Sequence, residues 1–149
     1  MKKVNLSGQE VVEVGGDSWA TPDDLFRGLD YEFAFTLDAA ANSANTKLPS
    51  FCEDGLKASW AGQRVWCNPP YSDIRPWVEK AARREADVAA LLLPVRTGTD
   101  WFLLYGRHAD EIRYFRRRVS FVGAKDTPSW ETALFVWWGG AMQGGAKDD

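Results

Sequence analysis

Arg64-Val65-Trp66-Cys67-Asn68-Pro69-Pro70-Tyr71 is the stretch whose reading decides the fold. An apolar run of β-branched and aromatic residues stops at two consecutive prolines, so it reads as a buried strand with an abrupt end. Each proline fixes φ and removes a backbone donor. The ladder therefore cannot continue, and nearby carbonyls, that of Pro69 above all, are left free to accept. Asn68 adds a side-chain carbonyl acceptor beside them, and Tyr71 supplies a flat ring.

Working outward, the remaining periodic segments alternate between strand and helix. Upstream, Thr21-Pro22-Asp23-Asp24 is a helix start, with Thr21 as N-cap, Pro22 at the first helical position and two acids favouring the positive end of the macrodipole. This helix is expected to run to about Leu29. Phe33-Ala34-Phe35-Thr36-Leu37 then reads as a buried strand that delivers Asp38 at its end.

Downstream, Ser72 caps a helix whose apolar stripe is Ile74, Trp77, Val78, Ala81 and Ala82. Val88 to Leu93 is the next buried strand, and a polar loop from Pro94 leads to a helix from Asp100 to Gly106. Ile112 to Phe115, Val119 to Phe121 and Thr132 to Trp138 read as three further strands, the last almost continuously apolar and so central or covered.

This pattern predicts an α/β domain with a compact, mostly parallel sheet. Too few residues separate Asp38 from Asn68 for two complete βα units, so the sheet is expected to be reduced in size. Residues 55 to 60 are expected to form a short helix, with Glu53 or Asp54 available to cap it. Residues 1–18 read as a mobile N-terminal arm with a short strand at Glu10 to Val14, residues 19–138 as the domain, and residues 139–149 as a disordered, Gly-rich C-terminal tail.

At 149 residues and 45% hydrophobic content, the chain suits one domain with its own core. Cys52 and Cys67 are too few for a disulfide framework or a zinc site, and His108 is the only histidine, so His-based metal and triad chemistry lack material. The longest apolar run, Val88 to Val95, is far below the roughly 20 residues that span a bilayer, and no leader is visible; a cytoplasmic protein without membrane contact is expected. Residues 1–54 carry four Lys or Arg against ten Asp or Glu, whereas residues 55–149 carry fourteen against eleven. Arg113, Arg116, Arg117 and Arg118 belong to this more basic part, either as a solvated face or as phosphate contacts.

The chemistry that suits Asn68, Pro69 and Tyr71 is methyl transfer to an exocyclic amine on a nucleobase, whose lone pair is delocalised into the ring. If the Asn68 oxygen and the Pro69 carbonyl each accept one amine N–H, the nitrogen is drawn toward sp³ geometry and its lone pair is freed. Tyr71 stacks the base, which has to leave the duplex before its amine can be reached.

Asn68-Pro69-Pro70-Tyr71 resembles the catalytic motif of amino methyltransferases that use S-adenosylmethionine. Together with Trp19-Ala20-Thr21-Pro22, Leu37-Asp38-Ala39-Ala40-Ala41-Asn42 and Leu93-Pro94-Val95-Arg96-Thr97, in this order, it resembles the phage-type Dam family of DNA adenine-N6 methyltransferases. The resemblance implies a Rossmann-like sheet of the S-adenosylmethionine methyltransferase type. It also implies release of the donor as S-adenosylhomocysteine, double-stranded DNA as partner, no metal, and a phage or prophage origin in a bacterial host cell.

Carried over by position, the resemblance makes Asn68, Pro69, Pro70 and Tyr71 catalytic. Trp19, Thr21, Pro22, Asp38, Ala39, Ala40, Asn42 and Asp54 become cofactor contacts, and Tyr71, Arg96, Arg116 and Arg118 substrate contacts. Residue by residue, plainer readings stand beside these. Trp19 and Thr21 also suit a stapled helix cap, Asp38 and Asp54 suit caps, and Arg96 suits a salt bridge within the fold. Three alanines stand where the broad methyltransferase pattern has a glycine-rich turn.

Methylation of cytosine N4, of an RNA base or of a glutamine amide would use the same acceptors. A non-catalytic DNA-binding or host-modulating protein of the same fold is a reading from a different class. A chain this short reads few bases by itself or pairs as a homodimer to cover more.

If the arginines meet phosphates, each contact contributes about 0.9 to the slope of log affinity against log salt. In a strand Arg116 and Arg118 share one face while Arg117 points to the other. Neutralising all three is therefore expected to flatten the slope by about 1.8, measured by DNA titration across a salt series. An unchanged slope would make them a solvated face.

Overall fold

The computed structural model describes residues 3–4, 10–11, 21–115, 119 and 130–140. Two short strands, β1 (Lys3–Val4) and β2 (Glu10–Val11), pair antiparallel, so the strand expected at Glu10 is present over its first two residues. The rest of the expected arm, Trp19, Arg116, Arg117, Arg118, the strand expected at Val119 to Phe121 apart from Val119, and residues 141–149 lie outside the described residues.

Helix α1 (Asp23–Phe33) buries Phe26, Leu29 and Phe33 on one face. It outlasts the expected end at Leu29 because Phe33 continues that stripe, so Phe33 is helical rather than the start of a strand. Ala34 ends the helix in the left-handed region at φ 50°, and the Asp30 carboxylate accepts the Phe35 N–H at 3.0 Å. At the other end Pro22, not Thr21, occupies the cap position, and no side-chain cap hydrogen bond forms.

The main sheet has five strands: β3 (Leu37–Asp38), β4 (Arg64–Cys67), β5 (Val88–Pro94), β6 (Glu111–Tyr114) and β7 (Thr132–Trp138). Their order across the sheet is β3-β4-β5-β7-β6. The pairs β3–β4 and β4–β5 are parallel, whereas β7 runs antiparallel to both β5 and β6. The sheet is therefore mixed rather than mostly parallel. Strand β7 returns between β5 and β6, and its continuous apolar run is explained by burial on both faces.

Side-chain alternation along the strands sorts the core into two layers. Val65, Cys67, Ala89, Leu91, Leu93, Ala133, Phe135 and Trp137 face one layer, with Ile74, Trp77, Val78 and Ala81 of helix α2 (Arg75–Ala82) and Trp101 of α3 (Asp100–Leu104). Trp66, Val88, Ala90, Leu92, Leu134 and Val136 face the other, against Phe26, Leu29 and Phe33 of α1. Helices thus cover both faces, with α2 on one side and α1 on the other. Ile74, rather than Ser72, holds the cap position of α2, since the first helical N–H groups bond to its carbonyl. The helix expected from Asp100 to Gly106 stops at Leu104 and is followed by a 3₁₀ turn at Gly106–His108.

Between β3 and β4 the chain crosses over without a helix, which accounts for the short interval noted in the sequence. Phe51 forms a parallel bridge with Asp38, so Ser50 to Cys52 covers the outer edge of β3. The helix expected at residues 55–60 is instead a turn. The Gly55 backbone packs directly on Ala39, and the Trp60 indole N–H donates to the Gly55 carbonyl at 3.0 Å. Glu85 closes the turn by accepting the Trp60 N–H at 2.7 Å and the Ala61 N–H at 3.1 Å.

A Cβ at Gly55 would lie 1.7 Å from the Ala39 carbonyl oxygen, so the backbone itself would have to move. Gly55→Ala is expected to destabilise the protein by about 1–3 kcal/mol, read from thermal or urea denaturation. A variant with the parent's midpoint would show that this packing yields freely.

Candidate active site

Strand β4 pairs with β3 and β5 as far as Cys67, and the ladder stops at the prolines. Pro69 is buried, while Asn68, Pro70 and Tyr71 are half-buried at the carboxyl end of the strand. The Pro70 carbonyl accepts the Asp73 N–H at 3.3 Å in the turn that leads to α2. Among the described residues no donor reaches the Pro69 carbonyl. The acceptor expected from the Pro-Pro step is thus available, next to Asn68.

Tyr71 folds back over the end of the sheet and packs against both core layers. Its hydroxyl donates to the Leu92 carbonyl of β5 at 3.0 Å. Burial, with a smaller contribution from the neighbouring Cys67, pushes the phenol far above its ordinary range, and nearby Arg96 only partly offsets this. Burial first, and the charge of Asp38 second, likewise raises the Cys67 thiol. Both groups stay protonated near neutral pH, so Tyr71 can offer a ring but no base, and Cys67 no thiolate.

Asp38 lies beside this strand end, at the carboxyl end of β3, and is 3% exposed. Its carboxylate accepts the Lys47 N–H at 2.9 Å and the Thr46 hydroxyl at 3.5 Å, and the Ala40 N–H as well. Desolvation outweighs these bonds and raises its pKa. Asp38 therefore organises the loop that follows β3. Lys47 extends the link by pairing its ammonium with Asp23 at 2.5 Å, joining this loop to the first turn of α1.

Because α1 runs into β3, its N-terminus lies at this same end of the sheet. Asp38 ends β3 with Ala39 and Ala40 directly after it, and the Lys47–Asp23 pair brings the first turn of α1, which follows Thr21 and Pro22, to the same loop. Asn42 belongs to the same loop, but its side-chain oxygen accepts the Ala44 N–H at 2.9 Å and the Asn45 N–H at 3.1 Å, so it shapes the loop. Asp54 is exposed and pairs with Lys57 at 3.4 Å.

On the other side of Tyr71, Arg96 projects from the loop after β5 and lies over the Trp130 ring, 5.8 Å from its centroid. It makes no salt bridge among the described residues. Trp130 in turn meets Tyr71 nearly edge-on, with centroids 6.5 Å apart and planes at 63°. Sequence reasoning missed Trp130. With eight tryptophans in the chain nothing marked it, and only the antiparallel return of β7, with Thr132 opposite Pro94, brings it here. Arg113 is engaged within the fold. It pairs with Glu32 and Glu111 and lies over Phe33, tying the sheet edge to α1.

The fold and this strand end define an α/β protein whose candidate site is an amide, a free carbonyl and an aromatic ring at the carboxyl ends of parallel strands, where open sheets bind ligands. The family model described as DNA N-6-adenine-methyltransferase (Dam) matches residues 8–135, and the chain belongs to that family. Similar curated proteins include the DNA N-6-adenine-methyltransferase of Haemophilus phage HP1 (strain HP1c1), 36% identical over 115 residues, a stretch covering 71% of this chain and 66% of the relative. The DNA N-6-adenine-methyltransferase of Escherichia phage T1 is 33% identical over 103 residues, covering 64% of this chain and 43% of the relative. The match spans less than two thirds of either relative's length. No described helix is long and apolar enough to cross a membrane.

Asp38 gives this site a pH signature. Its folded-state pKa lies above its ordinary 3.8, so the stability associated with its protonated form is present below that value and lost as pH rises through the folded-state value. Urea midpoints measured from about pH 4 to about pH 7 should therefore fall for the parent relative to Asp38→Asn, then run parallel. Parallel curves throughout would mean that Asp38 ionises as freely in the fold as out of it.

Proposed function

We propose that the protein transfers a methyl group from S-adenosylmethionine to the N6 amine of an adenine extruded from double-stranded DNA. The observation that carries this reading is the Pro69 carbonyl, which no donor reaches among the described residues, beside Asn68 at the end of β4. Asn68 and Pro69 each accept one amine N–H, which localises the nitrogen lone pair. Tyr71, neutral and anchored through its hydroxyl, provides the stacking face. The proton leaves after transfer, when the nitrogen is positively charged and acidic, so no general base is needed. The family and both phage relatives, each a DNA N-6-adenine-methyltransferase, favour adenine N6 over cytosine N4, an RNA base or a glutamine amide.

The crevice beside Asp38 suits the methyl donor. Ala40 is half-buried directly after Ala39, a small side chain that a ligand can approach closely, and α1 presents an N-terminus without a side-chain cap for a carboxylate. Thr21, Pro22, Asp38, Ala39 and Ala40 would hold it, and the family resemblance adds Trp19 and Asp54 as contacts. Bound S-adenosylmethionine supplies the electrophilic methyl. We read the sheet accordingly as a reduced, Rossmann-like sheet of the S-adenosylmethionine methyltransferase type, and Arg96, Arg116 and Arg118 as contacts to DNA. The phage relatives support a phage or prophage origin and action inside a bacterial cell, and a homodimer would extend the DNA footprint.

The test is incubation with labelled S-adenosylmethionine and unmethylated DNA, followed by digestion and nucleoside analysis. Label in N6-methyladenine is expected. Asn68→Ala should abolish it while S-adenosylmethionine affinity by calorimetry stays within about threefold, since the lost acceptor faces the base and not the donor. Label in another nucleoside, or an active Asn68→Ala variant, would overturn the reading.

A further inference from the structure

Tyr71 is held at its tip by the bond to Leu92 and is packed on both core layers. The hydroxyl oxygen lies on the axis about which the ring turns, so the plane of the ring depends also on what meets its sides. The plane decides how a stacked base is presented, and hence whether its amine meets both Asn68 and Pro69. Among the described ring pairs, Trp130 is the aromatic partner of Tyr71.

We propose that Trp130 is the positioning residue that sets the plane of Tyr71, with Arg96 holding Trp130 in place. The centroid distance of 6.5 Å and the angle of 63° fall within the favourable edge-to-face range for aromatic pairs. The Arg96 guanidinium over the Trp130 ring, 5.8 Å from its centroid, holds the indole in place. Both residues are brought together by the ladder: Thr132 pairs with Pro94, and the Val95 N–H donates to the Glu131 carbonyl at 2.9 Å just beyond. The chain of contacts runs Arg96 to Trp130 to Tyr71. Trp130 acts through the ring of Tyr71, so its loss misaligns the base without removing a contact to the methyl donor.

This inference rests on the proposed methyl transfer, and its test separates the two. The parent is first assayed for transfer to unmethylated DNA, and Trp130→Ala, Trp130→Leu and Trp130→Phe are then compared. A misplaced base lowers kcat rather than binding, so Trp130→Ala and Trp130→Leu should lose on the order of 10²-fold in kcat with KM for DNA changed less than about threefold. Trp130→Phe keeps an aromatic edge and should recover to within about fivefold of the parent. S-adenosylmethionine affinity by calorimetry should be unchanged in all three.

If Trp130→Ala does not fold, the comparison of the bulky Leu and Phe variants decides. Equal kcat in Leu and Phe, parent-like kcat in either truncated variant, or loss of donor binding alongside turnover would overturn the positioning role while leaving methyl transfer intact. A parent with no transfer would overturn both.

Discussion

A strand cannot continue through two residues that have no N–H. That constraint, imposed at Pro69 and Pro70, stops β4 beside β5, which continues to pair with β7, and the arrangement of the site follows from the stop. The chain has to leave the sheet at its carboxyl edge, in the gap where ligands of open sheets lie. It leaves behind a carbonyl that no donor reaches among the described residues, and it swings Tyr71 back across the sheet end to reach Leu92. A residue with a backbone donor at Pro69 or Pro70 would let the ladder extend and draw these groups into ordinary pairing.

The rest of the sheet brings two sets of groups to that edge from opposite sides. Toward β3, the buried Asp38 carboxylate gathers backbone N–H groups, and Lys47 ties its loop to α1. Toward β7, reversal of strand direction returns Trp130 to the end of β5, where Arg96 covers it. Tyr71 stands between the two sets. The two core layers meet beneath it, so its position depends on both faces of the sheet being packed.

Much of this was legible in the chain. Strands β4, β5 and β7 are short apolar runs with hard boundaries, and the Pro-Pro step marks where the ladder of β4 stops. Less legible was anything decided by distant packing. Phe33 was read with the strand that follows it, whereas its spacing from Phe26 and Leu29 keeps it on α1. The turn at residues 55–60 looked helical because the close approach of Gly55 to Ala39 is a tertiary contact. Strand direction has no local signature, so the antiparallel β7, and with it Trp130, was invisible. The position of Asp38 at a strand end follows from the apolar run before it, yet its bonds to Lys47 and Thr46 depend on a loop whose path no periodicity records. Asn42 is another such case, since its side chain bonds to its own loop.

The account reduces to one geometric claim: Asn68 and Pro69 present two acceptors to one amine. The most direct measurement is a crystal structure of the protein with S-adenosylhomocysteine and adenine-containing DNA. It should place the adenine N6 within about 3.2 Å of both the Asn68 Oδ1 and the Pro69 carbonyl oxygen, with the base stacked on Tyr71. An adenine bound with N6 directed away from either acceptor, or a Pro69 carbonyl bonded within the protein in that complex, would contradict it.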